Sequence, residues 1–461
     1  MFMTPFGFSL NFSFWTDFFS LPVSDQVMGI IAIIGWVLLA LLLFFMAAQL
    51  WVDFRQSKLT AKWKWVLLAV EIPALFVQTP KAIEQIFAHL SGALASIGVK
   101  DKYWVGKKQK WFSLEVISIE GYIQFLIRTE AEYRDLVEAA IYAQYSEAQI
   151  TEVEDYVDNV SSYPNKEYDA VGVEFKLSQD TTYPIRTYAD FQYNISADVV
   201  FSDPMAAILE NFTRISKGEN LWMQIVIQPT GNEWKEKGIK LVKSIITGKK
   251  SAEVSPLLKF PELLLELVVS IFSTPEEKPK VTKKEEPAGK VSDLSPGAKK
   301  TVEAIEDKIS KIGFKSKIRL LYLARKESFN PSRCVGGFIG SLNQFTIMSS
   351  NGLTPYKALD SIKKFAKTKI FVGAFKKRKL TQGGNPYILN IEELATIWHF
   401  PLPFVKTPLV QKAAVKRSEP PINLPTETIE RRLTRLTPVP QASSSPKKED
   451  IAAPPENLPM A

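Results

Sequence analysis

The run from Val27 to Val52, VMGIIAIIGWVLLALLLFFMAAQLWV, contains no charged residue and is bounded by Asp25 and Asp53. An α-helix rises about 1.5 Å per residue and needs roughly 20 apolar residues to cross the hydrocarbon core of a bilayer. The run meets that length with room for tilt. A helix buried in a globular core usually keeps one polar side, and this stretch offers none. Whatever else the chain folds into, residues 27–52 are therefore expected to be a transmembrane helix.

The flanks give the span a direction. No Lys or Arg precedes Arg55, and Arg55, Lys58, Lys62 and Lys64 follow directly. Positive charge collects on the cytoplasmic side, so residues 1–26 should lie outside and everything after Val52 in the cytoplasm. A cleaved signal peptide would need a basic start and a shorter apolar core. The expected location is the cell membrane, single-pass, with the bulk of the protein cytoplasmic. Residues 1–26 are rich in Phe with one Trp and are broken by Pro5, Asp17 and Pro22. Such a composition suits the outer membrane–water interface better than a second span.

Roughly four hundred of the 461 residues follow the span, enough for two or three domains. A lone cysteine, Cys334, rules out an internal disulfide and suits a reducing compartment. With His89 and His399 as the only histidines, a His-based metal site or a Ser-His-Asp triad is poorly supplied. The net charge of +8 favours anionic partners, lipid or nucleic acid, without choosing between them.

The cytoplasmic part is expected to be α+β. Lys62–Ile72 reads as a strand, and Thr79-Pro80 opens a helix with Ile83, Ile86, Phe87, Leu90, Leu94 and Ile97 on one face. Trp111–Ile119 and Tyr122–Arg128 form a hairpin turning at Glu120-Gly121. Glu130–Tyr145 is a helix and Ala148–Tyr156 a closing strand. The order β-α-β-β-α-β is the ferredoxin-like split βαβ arrangement, placed at residues 62–160.

A second pass of this order is expected over 165–400, with a helical insertion at 232–312. Thr187–Tyr193 is its strand candidate, and Asp203-Pro204 starts a helix running to Ile215. Leu221–Gln228 is strand-like and Glu233–Ile246 basic and helical. Leu257–Phe272 is an apolar helix too short and charged to span, and 275–298 is a Pro-, Lys- and Glu-rich linker. Ser295-Pro296 begins a helix carrying Val302, Ile305, Ile309 and Ile312. Lys315–Arg325 resumes the sheet, Ser332–Phe345 is a helix, and Tyr387–Asn390 leads into a short helix at Ile391–Thr396. From 415 to 461 proline is frequent and apolar residues few, the composition of a disordered tail. The fold expected is thus one transmembrane helix, then tandem ferredoxin-like domains with helical insertions and that tail.

No catalytic, cofactor or metal site is expected. Neither Thr247–Ser251 nor Gly231–Gly238 has the G-x-x-x-x-G-K-[ST] spacing of a phosphate loop. Gly336-Gly337-Phe338-Ile339-Gly340 reads as a close-packing helix face. His399, between Trp398 and Phe400, reads as a hydrogen-bonded packing residue, Cys334 as a buried thiol, and Glu152, Glu154 and Asp155 as a solvated strand edge. The strongest charge feature is Lys357–Lys379, where Lys363, Lys364, Lys367, Lys369, Lys376, Lys377, Arg378 and Lys379 alternate with Phe365, Ile370, Phe371 and Phe375. Basic residues interleaved with aromatics suit anionic lipid headgroups; the same mixture can hold a nucleic-acid backbone and stack bases. A plain solvated face is the third reading of this segment; beside a membrane anchor, lipid ranks slightly ahead of nucleic acid.

An ordered set of segments adds a resemblance. Trp111-Phe112-Ser113-Leu114-Glu115, Ile141-Tyr142-Ala143-Gln144-Tyr145, Glu152-Val153-Glu154-Asp155-Tyr156 and Tyr183-Pro184-Ile185-Arg186-Thr187-Tyr188 come first. Asp203-Pro204, Leu221-Trp222-Met223-Gln224-Ile225 and Lys317-Ile318-Arg319-Leu320 follow. Leu389-Asn390-Ile391-Glu392-Glu393-Leu394-Ala395-Thr396 and Pro420-Pro421-Ile422-Asn423-Leu424-Pro425 complete it. Together, from Lys62 to Pro425, these segments resemble the uncharacterised N-terminal region of membrane-anchored ATPases related to type IV secretion and conjugative-transfer motors. In that family the Asn-Leu-Pro stretch leads into a P-loop module, whereas here the tail follows. No residue inherits nucleotide binding. The resemblance implies a non-enzymatic membrane-anchored scaffold that docks a P-loop ATPase supplied in trans; a homo-oligomer is compatible with the sequence, which does not specify the oligomeric state. The rival is a membrane-tethered nucleic-acid-binding protein using 357–379.

Overall fold

A computed structural model describes residues 2–3, 9–10, 20, 22–73, 78–157, 166–195, 198–248, 294–356 and 364–401. The apolar run lies in α1, Val23–Thr60, whose 38 residues continue without a break past the last uncharged position. Only 6% of its most apolar window is covered by the rest of the chain, so it is not a core helix. Leu42, Phe44, Phe45 and Leu50 each expose more than half their surface. α1 is long and apolar enough to cross a membrane.

The body is built on nine antiparallel strands with helices packed on them. In chain order they are β1 (Trp65–Glu71), α2 (Pro80–Leu90), β2 (Phe112–Ile119), β3 (Tyr122–Glu130), α3 (Arg134–Gln144) and β4 (Gln149–Val153). Next come β5 (Tyr168–Leu177), α4 (Pro204–Thr213), β6 (Glu219–Pro229), α5 (Glu233–Thr247) and α6 (Pro296–Ser310). β7 (Gly313–Arg325), α7 (Pro331–Leu342), β8 (Leu353–Pro355), α8 (Lys364–Lys376), β9 (Tyr387–Asn390) and α9 (Ile391–Ile397) complete the body. A separate ribbon pairs Gln192–Ile195 with Asp198–Phe201.

Across the sheet the order is β8-β5-β7-β6-β2-β3-β1-β4, with β9 on β7. The first four strands in sequence lie 4-1-3-2, and β5 to β8 repeat 4-1-3-2. Each half is a split βαβ unit. The halves join where β2 runs antiparallel to β6, Leu114 opposite Ile225 and Ile117 opposite Trp222. Two ferredoxin-like halves therefore share one continuous sheet, edge to edge.

Local sequence explains most boundaries. Thr79, Asp203 and Ser295 are N-caps ahead of a proline in the first turn, and the Asp203 and Ser295 side chains accept Met205 N–H and Ala298 N–H. Glu120 and Gly121 have φ of 54° and 95°, the two left-handed residues of a type I′ hairpin turn. The first half matches expectation closely, except that α2 stops at Leu90 and leaves Leu94 half-exposed. The second half opens elsewhere: its first strand is β5, Tyr168–Leu177, while Thr187–Tyr193 forms a 3-10 turn leading into the ribbon. The apolar stretch at Leu257–Phe272, most of the 275–298 linker and the tail from 402 lie outside the described residues.

Alternation along the strands builds two faces. Leu114, Val116, Leu221, Met223, Ile318 and Leu320 join α2, α3, α4, α7 and α9 in the main core. On the opposite face Leu67, Ala69, Ile117, Trp222, Leu321 and Leu323 pack against Tyr156, Val372 and Phe375. α8 lies on that second face, and Gly172 makes room for it: a Cβ there would sit 1.9 Å from the Phe371 ring.

Candidate functional site

The second face carries a row of buried polar residues. Glu115 stands opposite Gln224, Gln224 opposite Arg319, and Arg319 opposite Glu174, on β2, β6, β7 and β5. Arg319 Nε donates to Glu174 Oε2 at 3.0 Å, and Gln224 Nε2 donates to Glu115 Oε1 at 3.3 Å. Lys317 donates to the Gln382 carbonyl at 2.9 Å and to the Gly384 carbonyl. Burial pushes the Lys317 amine down to about 8; the Glu174 carboxylate opposes that shift and the Arg319 charge adds to it.

Arg378 closes the row. Its Nε and Nη2 donate to Glu115 Oε1 and Oε2 at 2.8 and 3.0 Å, and its Nη1 donates to Asp155 Oδ2 at 2.6 Å. Its backbone is left-handed, φ 47°, just past the end of α8. A non-glycine residue pays about 1–2 kcal/mol for that conformation, which the bidentate charged contact offsets. Burial works against ionised Glu115, yet Arg378, with hydrogen bonds from Ser113 and Tyr156, holds its carboxyl below the usual carboxylate range.

Arg378 thus leaves the set of surface cations expected from the sequence, because the sheet has claimed it. Asp155, expected on a solvated edge, is instead its second acid, while Glu152 pairs with Arg134 at 2.5 Å. Lys369, Lys377 and Lys379 are exposed and Lys376 is half-buried. Lys363 and the side chains of Lys364 and Lys367 lie outside the description. His399 is buried, its Nδ1 2.7 Å from the Ala395 carbonyl and its Nε2 2.9 Å from Asp203 Oδ1. Cys334 is buried too, and that burial pushes its thiol up. Gly337 is the close-packing glycine of its helix, since a Cβ would meet Asn211 Oδ1 at 2.2 Å. Among the described residues no His, Cys, Asp and Glu group is arranged to hold a metal.

Where α1 meets the body lies a cavity of about 480 Å³. One wall is the α1 face Asp53, Gln56, Ser57 and Thr60, whose i, i+3, i+4, i+7 spacing stacks them along one side. Facing it are Trp65, Trp111, Lys108, Arg128, Lys377 and Lys379. The rings of Trp63, Trp65 and Trp111 stand 5.1 to 5.9 Å apart. A cation lies over each: Lys110 over Trp63, Arg128 over Trp65 at 4.2 Å, and Lys108 over Trp111. Of this set, the basic run of the sequence contains only Lys377 and Lys379. The tryptophans at 63, 65 and 111, each one or a few residues from a lysine, were the available signal.

α1 is also locked to the body. Trp51 Nε1 donates to the Tyr103 carbonyl at 2.9 Å, and Arg55 Nε to the Trp104 carbonyl at 2.8 Å. The chain turns away at Gly106, φ 80°, where any Cβ would stand 2.6 Å from the Arg55 carbonyl. Tyr103, Trp104 and Val105 are left exposed beside the helix.

Fold and site define an α+β protein of two ferredoxin-like halves fused through one sheet, behind an apolar helix, with a basic tryptophan-walled cleft at the junction. The model of one family, a domain of unknown function (DUF8128), matches residues 74–413, and the chain belongs to that family. No curated protein matches it in sequence.

Proposed function

We propose that this protein is a non-enzymatic, membrane-anchored scaffold subunit of a type IV secretion or conjugative DNA-transfer-like machine, docking a separately encoded P-loop ATPase at the cytoplasmic face. α1 is the single span, with residues before it outside and the body inside, as the basic residues following it favour. The observation that carries the reading is the lock between helix and body. Trp51 and Arg55 hold the 101–105 turn, so the sheet rides on the span at a fixed height and orientation. A flexible tether would serve an independent enzyme; a platform needs the fixed joint. The buried ionisable groups support the same reading, since Glu115, Arg378, Arg319, Glu174, Lys308 and Glu393 face one another within the fold.

The test is affinity purification of the full chain from detergent-solubilised membranes after chemical crosslinking. A P-loop ATPase is expected among the crosslinked partners. Recovery of the chain without one, repeated across crosslinkers, overturns the docking role.

A further inference from the structure

We infer that the junction cleft binds the phosphate headgroup of an anionic lipid from the leaflet facing the body, a site that rests on the reading of α1 as a membrane span. Three features of the cleft carry the inference.

The first is depth. The α1 wall starts at Asp53, one residue past the apolar run, and ends at Thr60, a rise of about 10 Å. Headgroups occupy the several ångströms outside the hydrocarbon core, so the cleft opens at the level of the lipid phosphates. Trp51 and the exposed Trp104 mark the same level, the depth at which aromatic side chains settle.

The second is charge. Lys108, Arg128, Lys377 and Lys379 face a cavity whose lining includes a single acid, Asp53. Arg128 is answered by Asp155 at 3.8 Å, but Lys108, Lys377 and Lys379 have no ion-pair partner among the described residues. Burial lowers the Lys108 pKa, the Lys379 charge lowers it further, and Asp53 acts in the opposite sense. Bringing like charges together in a half-buried cleft is unfavourable unless an anion joins them.

The third is shape. The rings of Trp65 and Trp111 line the cleft with Arg128 and Lys108 over them, so aromatic surface for the glycerol carbons next to a headgroup lies directly beside the cations for its phosphate. Gln56, Ser57 and Thr60 offer polar groups to its oxygens.

The full chain is reconstituted in nanodiscs of phosphatidylcholine alone or with added phosphatidylglycerol, and lysine acylation is followed by peptide mass spectrometry. Lys102, exposed and outside the cleft, reports the general effect of surface charge. Anionic lipid should slow Lys108 and Lys379 labelling about fivefold or more beyond any change at Lys102, about what one lipid–cation contact gives. Lys379→Gln should weaken the protection of Lys108. Equal labelling of Lys108 in the two discs overturns the site. Equal protection by inorganic phosphate in neutral discs assigns the cleft to a soluble anion, and protection by a single-stranded oligonucleotide assigns it to nucleic acid; either result overturns the lipid. A chain that alkaline carbonate strips from membranes refutes the spanning reading itself, and the lipid site with it.

Discussion

Arg378 and Glu115, 263 residues apart in sequence, form a bidentate pair with both side chains buried. The contact ties the turn after α8 to the strand at which the two halves meet. Two desolvated charges gain little over a well-packed apolar pair, but removing one partner strands the other. Arg378→Met is therefore expected to cost about 3–5 kcal/mol in chemical denaturation, and Glu115→Gln a similar amount. The double variant should cost clearly less than the sum. Additive costs in that cycle would show that the pair is not coupled.

The same pair sets an acid limit. The folded-state pKa of Glu115 lies below its ordinary value, so its stabilisation is complete above the unfolded pKa of about 4.3 and is lost as pH falls through the lower folded value. Thermal melts of the wild type should fall steeply below about pH 4. Arg378→Met should flatten that limb, because Glu115 then lacks the guanidinium that depresses its pKa. An unchanged slope in the variant would mean that other carboxylates govern acid unfolding.

Lys317 acts in the alkaline range, with a slope of the same sign. Its amine titrates near 8 in the fold against an ordinary 10.5. Between those values the unfolded chain holds a proton that the folded chain has released, so stability rises with pH across that window. Below about 8 the buried charge is a standing cost. Melting temperature is expected to climb from pH 8 toward 10 in the wild type and to lose that climb in Lys317→Met. A wild-type profile flat over this range would contradict the depressed amine.

How much of this was readable in sequence differs between the halves. Thr79-Pro80, Asp203-Pro204, Ser295-Pro296 and Glu120-Gly121 are local signals, and each marks a boundary the structure keeps. β5 keeps apolar alternation at Val171, Val173, Phe175 and Leu177, but its second face passes from Tyr168 and Ala170 to Gly172 and Glu174, which blurs the strand pattern in sequence. Gly172 is there for Phe371, and Glu174 for Arg319, 145 residues away. Such choices look like loop composition until the distant partner is known. Arg378 sat in a run of lysines, and nothing local separated it from them. The junction cleft was hidden for the same reason: Thr60, Lys108, Arg128 and Lys379 converge only through the sheet and the end of α1.

The seat of α8 can be tested at Gly172. Gly172→Ala places a Cβ between 1.9 and 2.6 Å from Phe371 ring atoms, so the ring and its helix must shift. Overpacking of this kind costs about 1–3 kcal/mol. Phe371→Ala in the same chain should recover part of the loss by clearing the space. Gly373→Ala is the internal control: it meets nothing within 4 Å and lies inside α8, so helix propensity should make it stabilising by up to about 1 kcal/mol. If Gly172→Ala is as well tolerated as Gly373→Ala, α8 does not seat on β5 in this way.

The joint between α1 and the body can be opened at Gly106. Alanine there suffers twice, from a φ of 80° that L-residues rarely adopt and from a Cβ pressed 2.6 Å from the Arg55 carbonyl. Relief requires the 101–105 turn to move off α1, which breaks the hydrogen bonds from Trp51 and Arg55. Amide hydrogen exchange is expected to quicken in 101–107 and at the C-terminal end of α1, with β2 and β6 unchanged. Gly98→Ala, which meets nothing within 4 Å, should leave exchange as it is. Under the proposed docking role, local release with an intact sheet should also reduce recovery of the crosslinked ATPase. Faster exchange at the joint with undiminished recovery would show that docking does not need the rigid connection.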